Sequence, residues 1–164
     1  MGIVVNDSQN LFMLQTRSNS YAFGIDNQGL VRHLYWGSRI NAMEDFEMPE
    51  LSEVSTNDPV YEITKEEFPV YGGLRYKEHC LKVTFADGTR DVAYEYVNYE
   101  IQKNEQCEER VIILKDKHYA LVMELHYKIY EAYDLMERFV VLKNESTEVM
   151  QIEKLHSGQF HVPY

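Results

Sequence analysis

Adjacent acidic residues are the most frequent candidates for catalytic groups in this sequence. Glu66-Glu67 and Glu108-Glu109 are two such pairs. Hydrolysis of a glycosidic bond uses two carboxyl groups that converge on the bond, whereas adjacent side chains on a strand point to opposite faces. Acidic side chains are also seldom buried. We therefore expect both pairs to lie on the solvated surface and to have no catalytic role.

Three ionisable residues at alternate positions, Glu124, His126 and Lys128, are candidates for a metal or proton-transfer site. They share one face of a predicted strand. A metal site needs convergent partners, and the nearest further imidazole, His118, lies beside a predicted turn. One face of an antiparallel sheet commonly meets water. We interpret the three residues as a solvated face and predict no metal site and no cofactor.

Sequence motifs of nucleophilic or phosphate chemistry are absent. The sequence contains no GxSxG, P-loop, GxGxxG or HExxH pattern. His79 and Cys80 are adjacent, so on a strand they diverge and cannot form a thiolate–imidazole pair. We predict no catalytic residue in the chain.

Two aromatic segments have the composition of a sugar site. The first is Leu34-Tyr35-Trp36-Gly37, with the single tryptophan, and the second runs from Phe68 to Glu78. Aromatic rings stack on the C–H face of a pyranose, and a few polar groups bond its hydroxyls. The predicted rim of the sugar site consists of Trp36, Tyr71, Arg75, Tyr76 and Glu78. The alternative places Trp36 in the core and Arg75 in a surface ion pair.

Short strands must position these segments. Residues 20–36 read as a hairpin around the turn Asp26-Asn27-Gln28-Gly29. Residues 121–129 alternate most clearly, which places Leu121, Met123 and Leu125 in the core. Further strands are predicted at 11–16, 81–85, 92–96, 111–114, 138–143 and 149–155. Strands at this spacing predict an all-β, antiparallel β-sandwich in a single domain over residues 1–164.

Residues 38–70 interrupt this pattern. They carry many acids and little periodicity, and we interpret them as a long loop excursion outside the core. The ordered pattern at the C-terminus, Gln159 to Tyr164, predicts a chain cut from a larger protein.

Charge and cysteine content limit the partners and the compartment. The formal net charge of −11 argues against nucleic acid and anionic membrane surfaces as partners, and it suits a neutral ligand. No apolar stretch is long enough to span a bilayer, and the N-terminus has no signal-peptide pattern. Cys80 and Cys107 lack metal-site spacing and predict two thiols in a reducing cytoplasm.

The order of several motifs resembles one known family. "LYWGSRI", "EEFPVYGGLRYKEHCLKVTFADGTRDVAYEYVNYEI", "YKIYEAYDLMERFVVLKNEST" and "IEKLHSGQFHVPY" are similar to the N-terminal domain of bacterial glycoside hydrolase family 36 α-galactosidases. The resemblance implies a supersandwich-like domain that packs on a catalytic (β/α)₈ barrel. His79-Cys80 stand where that family commonly has a proline.

The resemblance also implies a function for the larger protein. Family members remove terminal α-galactose from raffinose and melibiose with retention of configuration, using two aspartates of the barrel, which this chain lacks. In tetrameric members, loops of this domain reach a neighbouring subunit's active site. The implied partners are the protein's own barrel, further copies of the chain and an α-galactoside substrate, and the chain alone is expected to be inactive.

Two other functions remain open from the residues. One is a free-standing carbohydrate-binding β-sandwich without catalytic activity. The other is a structural and oligomerisation module, which predicts an exposed apolar patch.

Overall fold

A computed structural model describes residues 2–43, 46, 65–72, 78–103 and 105–160. These residues form ten strands and one 3-10 turn at Glu131–Tyr133. The strands are β1 (Gly2–Asn6), β2 (Leu11–Gln15), β3 (Asn19–Ile25), β4 (Val31–Ser38), β5 (Leu81–Thr84), β6 (Tyr94–Lys103), β7 (Glu108–Asp116), β8 (Leu121–Tyr130), β9 (Leu135–Asn144) and β10 (Gln151–Leu155).

Two four-stranded antiparallel sheets make up most of the domain. Their strand orders are β1-β2-β3-β4 and β6-β7-β8-β9, and β5 pairs with β10 beside them. Aromatic rings join the two sheets across the core. The Phe12 ring lies 5.2 Å from Tyr99, and the Phe23 ring stacks on Tyr127 at 4.4 Å. The prediction of an antiparallel β-sandwich is confirmed.

The β3–β4 hairpin is confirmed at its predicted turn. Asp26 Oδ1 accepts hydrogen bonds from the backbone N–H groups of Gln28 and Leu30, each at 2.9 Å. Gly29 closes the turn with a φ of +78°, a conformation that glycine adopts without steric cost. The aspartate side chain and the glycine therefore fix the turn that the sequence indicated.

Strand β8 lies at the centre of its sheet between β7 and β9. Its inward positions are all buried, as the alternation predicted: Leu121, Met123, Leu125, Tyr127 and Ile129. Burying one such side chain contributes about 1.5–3 kcal/mol, so this strand is a major source of core stability.

The end of the predicted excursion is part of the core, which corrects the expectation for residues 65–70. Phe68 and Val70 are fully buried. The free edge of β4 needs hydrogen-bond partners, and this segment supplies them: His33 N donates to Lys65 O at 2.8 Å, and Glu67 N donates to Val31 O at 2.9 Å. Residues 44, 45 and 47–64 of the excursion lie outside the described residues.

Several strand boundaries differ from the prediction. β1 was not predicted, because Gly2–Asn6 has no period-two contrast. β7 extends beyond the predicted 111–114 at both ends, and β6 continues to Lys103. Val92 lies before β6 but is buried with Tyr94 on the predicted face.

Neither Cys80 nor Cys107 forms a disulfide bond. Among the described residues, no helix is long and apolar enough to cross a membrane.

Candidate functional site

Trp36 stands at an open end of the sandwich. A bulge in the β3–β4 ladder pairs Phe23 with His33 and Tyr21 with Trp36. Directly opposed residues lie on one face of a sheet, so the extra residue brings Trp36 to the inner face beside Tyr21. The Trp36 side chain is nevertheless 44% exposed. The alternative that buried Trp36 in the core is therefore wrong, and its ring is available for contact.

A cleft of about 270 Å³ lies beside the Trp36 ring. We call it the Trp36 cleft. Phe160, near the C-terminus, forms one wall, with its ring 5.4 Å from Trp36. The cleft is lined by Leu14, Tyr21, Trp36, Tyr127, Met136, Glu137, Arg138 and Phe160. Aromatic walls with two ionic side chains are typical of small-molecule sites.

A buried carboxylate, Glu67, lies beneath the cleft and holds its walls in place. Tyr21 Oη donates to Glu67 Oε1 at 2.6 Å, and Tyr127 Oη donates to Oε2 at 3.0 Å. His33 Nδ1 lies 2.7 Å from Oε1, and Arg138 Nη1 lies 2.9 Å from Oε2. Arg138 Nη2 also donates to the Glu67 carbonyl at 2.6 Å. We call these five residues the Glu67 centre.

The Glu67 centre contains an ion pair and two neutral tyrosines. Burial opposes ionisation of Glu67, but the Arg138 guanidinium and the hydrogen bond from His33 outweigh it, so the pKa of Glu67 lies below its ordinary value. Burial and the Glu67 charge raise the pKa of Tyr21 far above its ordinary value. Burial also raises the pKa of Tyr127. Both phenols therefore remain protonated donors to the carboxylate.

The expectation that Glu66-Glu67 lies on the solvated surface is wrong. The side chains diverge, as adjacent strand residues do, but each finds a buried arginine. Glu67 pairs with Arg138, whereas Glu66 Oε1 lies 3.7 Å from Arg32 Nη1. Arg32 Nε also pairs with Asp26 at 2.6 Å. Ion pairs with these arginines stabilise the buried carboxylates. The adjacency of the two glutamates in the sequence does not indicate these partners.

The Glu108-Glu109 pair is also less exposed than expected. Glu109 is buried, with Oε1 2.7 Å from His126 Nδ1 and Oε2 3.7 Å from Lys128 Nζ. The His126 ring stacks on Phe139 at 4.4 Å. Glu124, His126 and Lys128 do share a face of β8, but they are half-buried among these partners and not freely solvated. Within the described residues, no group of three or more His, Cys, Asp or Glu side chains could hold a metal ion.

Tyr71 lies in surroundings different from those of Trp36. Its ring meets His79 edge-on at 5.1 Å, and Lys82 Nζ lies 5.1 Å from its centre. Glu78, the next predicted rim residue along the described chain, pairs with Lys154 of β10. The other two, Arg75 and Tyr76, lie outside the described residues. Of the three predicted rim residues that the structure describes, Trp36 alone lines the cleft.

Sequence reasoning missed Glu67, His33, Arg138 and Phe160. One signal was available: Arg138 interrupts an apolar alternation of Met136, Val140 and Leu142 in β9. A charged residue at an inward position needs a buried partner, so its presence there predicts an acid within the core. The identity of that acid depended on the fold.

Comparisons with known proteins all relate this chain to glycosyl hydrolases. The family model described as "Glycosyl hydrolase family 36 N-terminal domain" matches residues 29–164. The bifunctional α-galactosidase/sucrose kinase AgaSK of Mediterraneibacter gnavus is 23% identical, over 94% of this chain and 19% of its own length. The α-galactosidase Mel36A of Lactobacillus acidophilus is 22% identical, over 96% of this chain and 25% of its own length.

Solved structures show the same fold. The α-galactosidase of Lactobacillus brevis superposes with a TM-score of 0.81 at 23% identity, over 95% of this chain and 24% of the other. A variant of α-galactosidase AgaA from Geobacillus stearothermophilus, solved in complex with raffinose, gives 0.75 at 20% identity, over 90% of this chain and 24% of the other. The chain thus spans a quarter or less of the length of these proteins.

Proposed function

Since the chain belongs to the glycosyl hydrolase family 36 N-terminal domain family, we propose that it serves as the non-catalytic accessory domain of a retaining α-galactosidase. The larger protein would remove terminal α-galactose from oligosaccharides such as raffinose and melibiose. The domain would pack on a catalytic barrel and support oligomerisation or the rim of the active site.

One observation carries this proposal: the chain aligns over 94% of its own length with a relative of which it covers only 19%. The Glu67 centre supports it further. A retaining glycosidase places two accessible carboxyl groups about 5–5.5 Å apart. Glu67 lies beneath the Trp36 cleft, where it is fully buried and paired with Arg138, so it cannot reach a glycosidic bond.

The test has two parts. The 164-residue chain is expected to give no hydrolysis of nitrophenyl α-galactoside above background, and turnover that is lost on Glu67→Gln would contradict the proposal. Downstream of the Tyr164 codon, the parent gene is expected to encode alternating strands and helices with aspartates at strand ends. A stop codon at that position would contradict it independently.

A carbohydrate-binding role is the second candidate, and the exposed ring of Trp36 beside its cleft favours it. We propose Trp36, Tyr71, Arg75, Tyr76 and Glu78 as residues of the substrate rim. Titration with galactose and raffinose tests this role, because binding in the Trp36 cleft should change the emission of Trp36 and Trp36→Ala should weaken the affinity of that cleft. An unchanged emission at high millimolar sugar would remove this candidate and leave the accessory role standing.

The partners and the compartment follow as proposals from the same role. The domain's own barrel, further copies of the chain and an α-galactoside are the expected partners. We place the protein in the cytoplasm, which the absence of a disulfide between Cys80 and Cys107 supports.

A further inference from the structure

A second cavity lies at the end of the β8–β9 ladder, away from the Trp36 cleft. It has a volume of about 450 Å³ and lies between the turn after β5, the β7–β8 turn and the loop before β10. We call it the loop cavity. Six positions of β8 separate Leu121 at this end from Tyr127 in the Trp36 cleft. At about 3.4 Å per residue, the two sites lie about 20 Å apart.

Aromatic and aliphatic side chains form the floor of the loop cavity. The rings of Phe85 and Tyr119 stack with their centres 3.7 Å apart and an angle of 8° between their planes. Phe85 is buried beneath the half-buried Tyr119 ring. Met150 extends this apolar surface. The floor therefore offers a flat face to a ligand.

Polar residues are also part of the lining. They include Asp87, Glu148, His118 and Ser146, whose side chains carry carboxylate, imidazole and hydroxyl groups. Each hydroxyl of a sugar both donates and accepts, so a mixed rim suits a polyhydroxyl ligand better than an ion. Two carboxylates, on a chain with a net charge of −11, disfavour an anion.

Hydrogen bonds fix the cavity wall before any ligand arrives. Tyr119 Oη donates to Asp87 Oδ2 at 2.8 Å, and Thr89 N donates to Oδ1 at 2.9 Å. The Thr89 and Tyr119 bonds hold the pKa of Asp87 below its ordinary value, so the acceptor stays ionised. The backbone N–H groups of His118 and Tyr119 both donate to Asp116 Oδ1 at 2.9 Å. A wall ordered in advance reduces the entropic cost of binding.

We propose that the loop cavity is a binding site for a neutral pyranose, with Tyr119 as the stacking ring and Asp87 and Glu148 as hydroxyl acceptors. It acts independently of the Trp36 cleft, so it does not depend on the proposed function. Its volume falls within the range of small-molecule sites, about 300–1,000 Å³.

Amide NMR titration of the 164-residue chain with methyl α-D-galactopyranoside tests the proposal. We expect saturable shifts of the amides of residues 117–120 and 146–150, with a Kd on the order of 1–10 mM. Trp36 is the only tryptophan and reports on the other cleft, so the amide shifts should not follow its emission. No shift up to about 100 mM sugar, at least ten times that Kd, would overturn the proposal, as would shifts that track Trp36 emission.

Matched variants then locate the sugar. Tyr119→Leu removes the stacking ring, and Glu148→Gln weakens an exposed acceptor while keeping its shape. Each should raise the Kd, the former by about tenfold, equivalent to about 1.4 kcal/mol. Lys103→Ala, at an exposed position that does not line the cavity, is the control and should leave the Kd unchanged. If Tyr119→Leu fails to fold, Glu148→Gln decides: an unchanged Kd there overturns the proposal.

Discussion

At the scale of single residues, Glu67 is the most constrained group in the described structure. Its carboxylate receives contacts from Tyr21 of β3, His33 of β4, and Tyr127 and Arg138 of the facing sheet. A buried ion pair adds little net stability over an apolar replacement, but the loss of one partner leaves an uncompensated charge. The Glu67 centre therefore specifies how the two sheets meet more than it stabilises them.

Arg138→Met should destabilise the domain by about 3–5 kcal/mol, because Glu67 would remain charged and buried. Urea unfolding monitored by circular dichroism measures this change. The double variant Glu67→Gln/Arg138→Met should recover part of the loss. Lys143→Met on the same strand is the control, because the Lys143 side chain is exposed where it pairs with the half-buried Glu124. Equal midpoints for the Arg138 and Lys143 variants would contradict the role of the centre.

The low pKa of Glu67 also predicts a loss of stability in acid. Its folded pKa is below its ordinary value, and the unfolded value is about 4.3. The ionised carboxylate therefore contributes stability above about pH 4.3, and this contribution is lost as the pH falls through the folded pKa. The difference in unfolding free energy between the native chain and Glu67→Gln should be constant well above about pH 4.3 and should shrink as the pH falls below that value. A difference in unfolding free energy that stays constant down to about pH 3 would contradict the lowered pKa of Glu67 in the folded chain.

The two thiols should differ in reactivity. Cys80 is 2% exposed, and burial raises the pKa of its thiol to about 11. Because the thiolate is the reactive form, Cys80 should resist iodoacetamide until the domain unfolds, whereas the half-buried Cys107 should react in the native state. Mass spectrometry of digested protein distinguishes the two sites. Rapid labelling of Cys80 in native buffer would indicate that the core opens there.

At the scale of elements, the sequence predicted those strands and turns whose formation depends on residues close together in the chain. β8 alternates because one face of its sheet packs on the core while the other faces outwards, and the 20–36 hairpin carries its own turn residues. Residues 65–70 were misassigned because their burial depends on the free edge of β4, which is distant in sequence. Acidic composition indicated a surface loop, yet Arg32 and Arg138 neutralise the two acids.

The candidate site likewise contains residues that local sequence predicted and residues that it did not. Trp36 was predicted because an aromatic segment is visible in sequence. The Glu67 centre was not, because its members come from β3, β4, β8, β9 and residue 67, and only the folded sheets bring them together. Phe160 reaches Trp36 through the chain after β10, whose path no periodicity indicates.

A methyl group added at Gly158 should displace the segment after β10. Gly158 lies against the Arg138 guanidinium, and a Cβ at that position would overlap it. Arg138 is held by Glu67, so Gly158→Ala should displace the segment and Phe160 with it. We expect a loss of about 1–3 kcal/mol and a shift of Trp36 emission. Ser157→Ala, at an exposed neighbour, should change neither, and an unchanged Gly158→Ala spectrum would contradict the packing.

At the scale of the whole molecule, large apolar side chains remain at the surface. They include Val97 and Ile101 of β6, Val149, and Ile152 and Leu155 of β10. Exposed apolar groups promote association where they are contiguous. The strongly negative charge opposes it.

We therefore expect the chain to self-associate in a concentration-dependent and salt-promoted manner. Light scattering after size-exclusion chromatography should give a mass above 19.4 kDa at high concentration. Ile152→Lys should shift the distribution towards the monomer, while Lys103→Glu, at an exposed polar position, serves as the control. A strictly monomeric chain at all concentrations would argue against the oligomerisation role.

The separation of Glu67 from Arg138 also has a consequence during synthesis. Arg138 follows Glu67 by 71 positions, and a ribosome adds about 5–20 residues per second. For roughly 4–14 seconds, the nascent chain would hold the acid without its base. During that interval the carboxylate must stay hydrated, so it cannot yet be buried against the first sheet. The domain should therefore complete its core only after β9 has left the exit tunnel, and a chain stalled before Arg138 should remain open to proteolysis.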